Sequence, residues 1–302
     1  MALTHVVVAV DFSPLADVAL ARAIAIAARH GARVTLVYAE AELGAESAAA
    51  APVFTGDLAT AVRTAATDEH EARRARVEAA GLAVTVARRA GAAVDVVPDA
   101  AAELGCELLV LGTHGRTGVR RFLLGSVAER VARRASCDVL IVRDGDGVDG
   151  AGAPGAFQRP IVATDFSDSA DLAIAAAHRL AAPGVELEVV HAWSYPVGTW
   201  GVNALGVARA TTAVRDAIVA AAEEQGAALV ARHAAHAPLR FSLLEGGAAD
   251  AVTEHAAAVG ADLIALGTHG HRGLHRLLLG SVAETTLRHA PCSVLVCHRP
   301  ER

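Results

Sequence analysis

Residues 5–13 read HVVVAVDFS, and residues 159–167 read RPIVATDFS. Each is a short, β-branched run that ends in Asp-Phe-Ser, which is too short for a helix and typical of a buried strand. The similarity extends outward from these runs, because Leu111–Arg143 recurs as Leu266–His298. A nearly constant offset from one end of the copy to the other indicates duplication of a whole domain.

Strand-like and helix-like segments alternate in each copy. In the first copy we predict strands at 5–10, 33–39, 83–88, 107–111 and 139–142, and helices at 14–28, 57–80, 98–104 and 126–134. The second copy follows the same order and ends with a strand at 293–297. Apolar strands separated by helices predict an α/β fold with a doubly wound (Rossmann-like) parallel sheet in each domain. The stretch 144–158 is rich in Gly and Asp, and we predict a linker there between domains 1–143 and 159–302.

Composition excludes several functional classes. The chain has 302 residues, 53% of them hydrophobic, which is enough for about two domains with cores. Its 27 basic residues are all Arg, so a Walker A lysine, a Schiff-base lysine and a kinase lysine are excluded. A net charge of −6 and 3% aromatic residues argue against nucleic acid and anionic membranes as partners. With no signal peptide and no membrane-spanning run, we expect a cytoplasmic protein.

Cysteine is sparse. The four cysteines form no C-x-x-C pair, and we expect reduced, mostly buried thiols. Cys137 and Cys292 occupy equivalent positions before the last strand of each copy. A role as small apolar filling is favoured over redox sensing, because no basic partner is evident beside them.

A glycine-rich loop follows the fourth strand of each copy. Residues 112–126 read GTHGRTGVRRFLLGS and residues 267–281 read GTHGHRGLHRLLLGS, so both have the skeleton Gly-x2-Gly-x9-Gly-Ser. Glycines let backbone N–H groups approach an anion, and a following helix N-terminus adds unpaired donors. In doubly wound sheets, ligands bind beyond the carboxyl ends of the strands, where Asp11 and Asp165 also lie. The pattern predicts a phosphate site in each copy.

Structural interpretations compete with this prediction. Ser126 and Glu129, like Ser281 and Glu284, fit a capping box, and glycine after a strand also marks a tight turn. Asp11 is equally suited to cap the helix that begins near Pro14. A cluster formed by His269, His271 and His275 suggests a metal, but no Cys or carboxylate nearby completes a zinc set.

With its two loops and its Asp-Phe-Ser turns, the chain resembles the universal stress protein family in its tandem form. The resemblance implies sheets of order 3-2-1-4-5 that bind ATP with Mg. It implies adenosine contacts from Ala9, Asp11, Ala163 and Asp165, adenine contacts from the main chain at Ala39 and Ala192, and ribose contacts near Gly112 and Gly267. Phosphates are then held by Gly115, Gly125, Ser126, Gly270, Gly280 and Ser281. The expected binding set also includes His114, Arg116, Gly118, His269, His271, Arg272, Gly273 and Val282.

From these observations we expect a nucleotide-dependent stress or signalling module with two ATP sites per chain. The sites are expected to be unequal, because Arg116 is replaced by His271 and Arg120 by His275. The resemblance also implies a homodimer, and the protein partner is unknown. The alternatives are a slow ATPase and a structural dimerisation scaffold with vacant sites. Two intact loops argue against the scaffold.

Overall fold

The computed structural model describes residues 2–40, 56–113, 124–143, 155–194, 204–235, 238–268 and 279–299. The chain divides into two compact units, Met1–Ala156 with His298–Arg302, and Phe157–Cys297. We refer to them as the first half and the second half. Among the described residues, no helix is both long and apolar enough to cross a membrane.

The first half is a five-stranded parallel sheet flanked by helices. Its elements are β1 His5–Ala9, α1 Pro14–His30, β2 Arg33–Glu40, α2 Gly56–Ala79, β3 Val84–Ala90, α3 Ala93–Glu103, β4 Leu108–Gly112, α4 Ser126–Arg134 and β5 Asp138–Val142. The strand order is β3-β2-β1-β4-β5. The central strand β1 pairs with β2 from His5↔Arg33 to Ala9↔Val37 and with β4 from Val6↔Leu108 to Val8↔Val110.

The second half repeats this architecture. Its elements are β6 Pro160–Ala163, α5 Asp168–Leu180, β7 Leu187–Trp193, α6 Ala204–His233, β8 Leu239–Glu245, α7 Ala248–Val259, β9 Leu263–Gly267, α8 Ser281–His289 and β10 Ser293–Cys297. The order β8-β7-β6-β9-β10 is again 3-2-1-4-5 within the half. The predicted doubly wound fold and this strand order are therefore confirmed in both halves.

Helix α3 begins earlier than the sequence predicts. We expected a helix at 98–104, but the helix runs from Ala93 to Glu103 with Pro98 inside it. Proline has no N–H to donate to the carbonyl of the residue four positions earlier. That residue is Val94, and its carbonyl accepts a hydrogen bond of 3.1 Å from Arg134 Nη1 instead. The guanidinium of α4 thus satisfies the group that Pro98 leaves without a helical partner.

An acidic residue on the first helix of each half is paired with the second helix. In the first half, Asp17 pairs with Arg73 at 2.9 Å and Arg76 at 2.8 Å. In the second half, Asp171 lies 3.1 Å from His233 and 3.5 Å from Arg232. These pairs join α1 to α2 and α5 to α6 on one face of each sheet.

The described end of the predicted linker is packed. Residues 144–154 lie outside the described residues, but Phe157 is fully buried. Its N–H donates to the Leu180 carbonyl, and its own carbonyl accepts from Ala182 at the end of α5. Phe157 is therefore part of the second half's core.

Candidate functional site

The candidate site of each half lies where four buried strands reach solvent at their carboxyl ends. In β1, β4, β6 and β9, every residue is buried except the last. Those last residues are Ala9, Gly112, Ala163 and Gly267, all of which belong to the predicted binding set. Parallel strands end at one edge of a sheet, so the sequence-predicted residues of each half share that edge.

A turn with an unusual backbone follows β1 and β6. Phe12 and Phe166 have φ values of 63° and 64°, the two positive values found among described residues other than glycine. Such a conformation is strained for a bulky side chain and is concentrated at functional sites. The preceding aspartates stabilise it, because Asp11 Oδ1 accepts from Ser13 N–H at 3.0 Å and Asp165 Oδ1 from Ser167 N–H at 3.1 Å.

The alternative in which Asp11 caps α1 is wrong. The cap is Ser13, whose hydroxyl oxygen accepts from Ala16 N–H at 3.2 Å. In the second half, Ser167 is in the same position, but its hydroxyl makes no side-chain cap, and among the described residues its buried oxygen has no hydrogen-bond partner. Both aspartates thus shape the turn instead of starting the helix.

Beneath each turn the phenylalanine packs on an aromatic residue of the neighbouring strand. Phe12 stacks on Tyr38 with ring centroids 5.4 Å apart, and His70 of α2 lies 5.1 Å from Phe12. In the second half, Phe166 lies 4.6 Å from His191, which occupies the position of Tyr38. No local sequence pattern indicates this pairing, because Phe12 and Phe166 lie in the turns after β1 and β6, far along the chain from Tyr38 and His191.

Burial changes the titration of the first-half aromatic group. It raises the pKa of Tyr38 to about 12, and the hydroxyl has no hydrogen-bond partner in the described part of the chain. Burial also lowers the pKa of His70, helped by the charge of Arg88. The ring stack below the first crevice is therefore uncharged at neutral pH.

Adenine was expected at the end of the second strand, where the two halves differ. Ala39 and Ala192 are both half-buried there. The residue after Ala39 is Glu40, which forms an ion pair of 2.5 Å with Arg88. The residue after Ala192 is Trp193, whose ring lies under the Arg215 guanidinium at 5.7 Å. This difference adds to the loop differences that predict unequal sites.

Gly112 and Gly267 lie close against the helix that follows the first strand. A β-carbon on Gly112 would lie 2.9 Å from Leu15 Cγ. On Gly267 it would lie 2.7 Å from Ser169 Cβ and 3.0 Å from the Ser169 carbonyl carbon and oxygen. The expected role near ribose is not tested by this contact, but a structural reason for both glycines is present.

Each glycine loop is closed at its base by a backbone hydrogen bond. Gly125 N–H donates to the Thr113 carbonyl at 2.7 Å, and Gly280 N–H donates to the Thr268 carbonyl at 2.9 Å. Each threonine is itself held to the last strand of its half, through Val142 and Cys297. The two ends of the loop are thus fixed to the sheet in the same way in both halves.

The capping-box interpretation of the two serines is wrong. The N-caps of α4 and α8 are Gly125 and Gly280, so Ser126 and Ser281 are the first helical residues. Neither helix has a side-chain hydrogen bond at its N-cap, and both serines are exposed. A helix N-terminus carries backbone N–H donors and a partial positive charge, and in both halves this end directly follows the glycine loop.

The predicted binding set contains one of two equivalent valines. Val282 was in the predicted binding set, and the equivalent Val127 was not, yet they are 38% and 37% exposed. Together with Val214 they are the exposed large hydrophobic residues of the described ranges. The repeat itself could have identified Val127, since both valines follow the loop's Gly-Ser.

Part of the predicted set lies outside the described residues, namely His114, Gly115, Arg116, Gly118, His269, Gly270, His271, Arg272 and Gly273. The suggested metal cluster of His269, His271 and His275 lies outside them as well. Within the described ranges, no group of three or more His, Cys, Asp or Glu residues is arranged to hold a metal ion.

Fold and site together define a protein of two tandem doubly wound α/β domains, each with a glycine loop at its central crevice. The universal stress protein family model matches residues 3–143 and again 156–298. The chain therefore belongs to the universal stress protein family and carries its domain twice.

The chain is also similar to a curated relative and to solved structures. A universal stress protein of Mycobacterium tuberculosis is 33% identical over 195 residues, which cover 64% of this chain and 62% of that relative. The match thus spans less than two thirds of the relative's length. A universal stress protein from Archaeoglobus fulgidus has the same fold, with a TM-score of 0.62 and 18% identity over 98% of this chain and 96% of that one. A universal stress protein solved in complex with cAMP covers 47% of this chain and 98% of its own, with 31% identity and a TM-score of 0.35.

Proposed function

We propose that each half binds ATP at the carboxyl edge of its sheet and that the protein acts as a nucleotide-dependent stress-response or signalling module. The observation that supports this most directly is the position of the N-terminus of α4 and of α8, which directly follows the glycine loop. In both, a glycine cap leaves the helix without a side-chain partner at its N-cap and leaves an exposed serine at the first helical position. Such a helix end attracts phosphate.

The remaining predicted residues complete the proposed site. Gly125 and Gly280 donate their own N–H groups to the loop base, so their proposed contribution is close approach of the phosphates to the helix. The proposed donors are the Ser126 and Ser281 hydroxyls with the first-turn N–H groups. Asp11 and Asp165 face adenosine, and Mg²⁺ is proposed to arrive with the phosphates.

The broader features of the proposal follow from the same sequence analysis. We propose domains at 1–143 and 159–302 joined by 144–158, a cytoplasmic homodimer, and a protein partner that responds to the bound nucleotide. Hydrolysis, if any, is slow on this proposal. The cited cAMP complex makes cAMP a useful competing ligand for the test.

Substitution of the two serines tests the proposal without damaging the fold. Asp at the first helical position favours the helix dipole but repels phosphate. We expect Ser126→Asp and Ser281→Asp each to remove one of two ATP equivalents, and the double variant to bind at least about tenfold more weakly, a loss of about 1.4 kcal/mol. The matched controls are Ser126→Asn and Ser281→Asn, which add no charge.

Binding is measured by calorimetry with Mg-ATP, and nucleotide identity by chromatography over several hours. Unchanged ATP affinity in the double Asp variant contradicts the proposal. Rapid conversion of ATP to ADP supports an enzyme instead of a binding module. If the protein retains cAMP in preference to ATP, the proposed nucleotide site stands, but its ligand is cAMP.

A further inference from the structure

Two cysteines of the first half lie side by side at the amino ends of neighbouring strands. β4 and β5 are parallel, with Leu108 opposite Asp138. Cys106 lies two residues before Leu108, and Cys137 lies one residue before Asp138. Parallel strands lie about 4.8 Å apart, and both cysteines lie within two residues of the paired positions, on neighbouring segments of the chain. Disulfides span about 4.4–6.8 Å between α-carbons.

The two thiols also contact each other directly. A side-chain hydrogen bond joins Cys106 to Cys137. Cys137 is 8% exposed, whereas Cys106 is half-buried and therefore more accessible. Burial raises the pKa of the Cys106 thiol, and the contact with Cys137 raises it further.

We propose that Cys106 and Cys137 form a modification site, at which a low-molecular-weight disulfide oxidises the pair to an intramolecular disulfide. The more exposed Cys106 loses its proton and attacks the oxidant, which forms a mixed disulfide and releases one thiol. Cys137 then loses its proton and attacks the Cys106 sulfur, which forms the protein S–S bond and releases the second thiol. Two protein thiols are oxidised, and one small disulfide is reduced to two thiols.

The second half provides a natural control for this pair. Cys292 precedes β10 as Cys137 precedes β5, but the position equivalent to Cys106 is Ala261. Cys292 is 3% exposed, and Ala261 offers it no thiol. The sequence alone favoured apolar filling for both Cys137 and Cys292. The contact with Cys106 distinguishes the first half from the second.

Oxidation would join two points that flank β4, the glycine loop and α4. A cross-link over about 30 residues restricts the unfolded chain and stabilises the folded first half. Since the second half lacks the pair, the effect is confined to one of two similar domains. The proposal depends on the thiols alone and stands whether or not the crevice binds a nucleotide.

The test is equilibration of the intact folded chain with oxidised glutathione, until an unfolded sample has lost all its thiols. We expect the thiol count to fall from four to two, peptide mapping to recover a Cys106–Cys137 peptide, and the apparent Tm of the first transition to rise by roughly 5 °C. Reduction should reverse all three changes.

Variants identify the residues responsible. Cys106→Ser should abolish the cross-link, and the matched Cys292→Ala should leave it intact. If Cys106→Ser does not fold, peptide mapping of the parent chain decides alone. Four thiols that persist in the folded protein, glutathione attached without an internal bond, or a bridge that uses Cys292 or Cys297 would each overturn the proposal.

Discussion

The ring of Phe241 occupies the space that a β-carbon on Gly226 would need, with three ring atoms closer than any real β-carbon contact allows. Gly226 lies in the interior of α6, where glycine is normally unfavourable by about 1 kcal/mol relative to alanine. Its absence of a side chain lets Phe241 of β8 approach Phe166, with ring centroids 6.0 Å apart. The glycine therefore supports the packing below the second crevice.

We expect Gly226→Ala to destabilise the protein despite its better helix propensity. The methyl group forces the ring away, and overpacking of this kind costs about 1–3 kcal/mol. The free energy of unfolding in urea measures the effect. Gly226→Ala combined with Phe241→Leu should recover part of the loss, because the ring is gone. A more stable Gly226→Ala variant would contradict the packing argument.

A second prediction concerns a buried hydroxyl. Thr286 is fully buried in α8, and its Oγ1 has no hydrogen-bond partner in the described part of the chain. The equivalent residue of the first half is Val131, also fully buried. A buried unsatisfied hydroxyl costs about 1–3 kcal/mol, so Thr286→Val should raise the free energy of unfolding by about 1 kcal/mol.

The matched control for Thr286 is Thr253 of α7. Its hydroxyl donates to the Ala249 carbonyl at 3.0 Å, and the residue is half-exposed. Thr253→Val should therefore bring no gain in stability. Equal effects of the two substitutions would mean that the buried hydroxyl of Thr286 is satisfied.

The sequence predicted the fold well because its repeat and its apolar strands are local signals. The elements at 126–134 and 293–297 match the structure in full. The start of α3 was missed, because only tertiary structure shows that Arg134 compensates for Pro98. The capping-box prediction for Ser126 was wrong for a similar reason. The sequence pattern does not reveal that Gly125, and not Ser126, is the N-cap of α4.

Two glycines at equivalent positions should tolerate alanine differently. At Gly112 the nearest atoms are those of the Leu15 side chain, which can rotate away, whereas at Gly267 they include the carbonyl group of Ser169. We expect Gly267→Ala to cost about 1–3 kcal/mol of unfolding free energy and Gly112→Ala clearly less. Thermal unfolding of the two variants in parallel provides the comparison. An equal or reversed order would show that the backbone at Ser169 yields easily.

The helix pairing through Asp17 should contribute to stability. Arg73 has a side chain only 6% exposed and pairs with both Asp17 and Glu69. Burial alone lowers the pKa of Arg73, but the bonds and charges of Glu69 and Asp17 outweigh it and raise the pKa. Asp17→Asn leaves a buried guanidinium with one carboxylate fewer, and we expect a loss of about 1–3 kcal/mol.

The control for Asp17 is an ion pair on the surface. Arg74 and Glu78 are 45% and 49% exposed, and such pairs contribute at most about 1 kcal/mol. Glu78→Gln should therefore change the urea midpoint little. Similar losses in Asp17→Asn and Glu78→Gln would indicate that burial of Arg73 adds nothing to its pairing.

A buried histidine, His5, lies at the amino end of β1, away from the candidate site, and makes the stability depend on pH. His5 is 2% exposed, and its Nε2 lies 2.8 Å from the Thr35 hydroxyl. The Leu104 carbonyl and the Arg33 guanidinium both lie 3.1 Å from Nδ1. Burial, followed by the positive charge of Arg33, lowers the pKa of His5 from 6.5. The folded state therefore holds this ring neutral.

Because the folded pKa lies below the unfolded value of 6.5, the unfolded chain binds more protons than the folded chain between these two values. The stabilisation from neutral His5 is complete above about pH 6.5 and is lost as the pH falls toward the folded pKa. We expect the free energy of unfolding to fall between pH 7.5 and 5, and to fall less in His5→Asn, whose side chain does not titrate. The exposed His178→Asn is the matched control and should follow the parent curve. Because burial also lowers the pKa of His70, His5→Asn should remove only part of the dependence of the unfolding free energy on pH. If His5→Asn shows the same pH dependence as the parent protein, His5 is protonated as easily in the folded protein as in the unfolded chain.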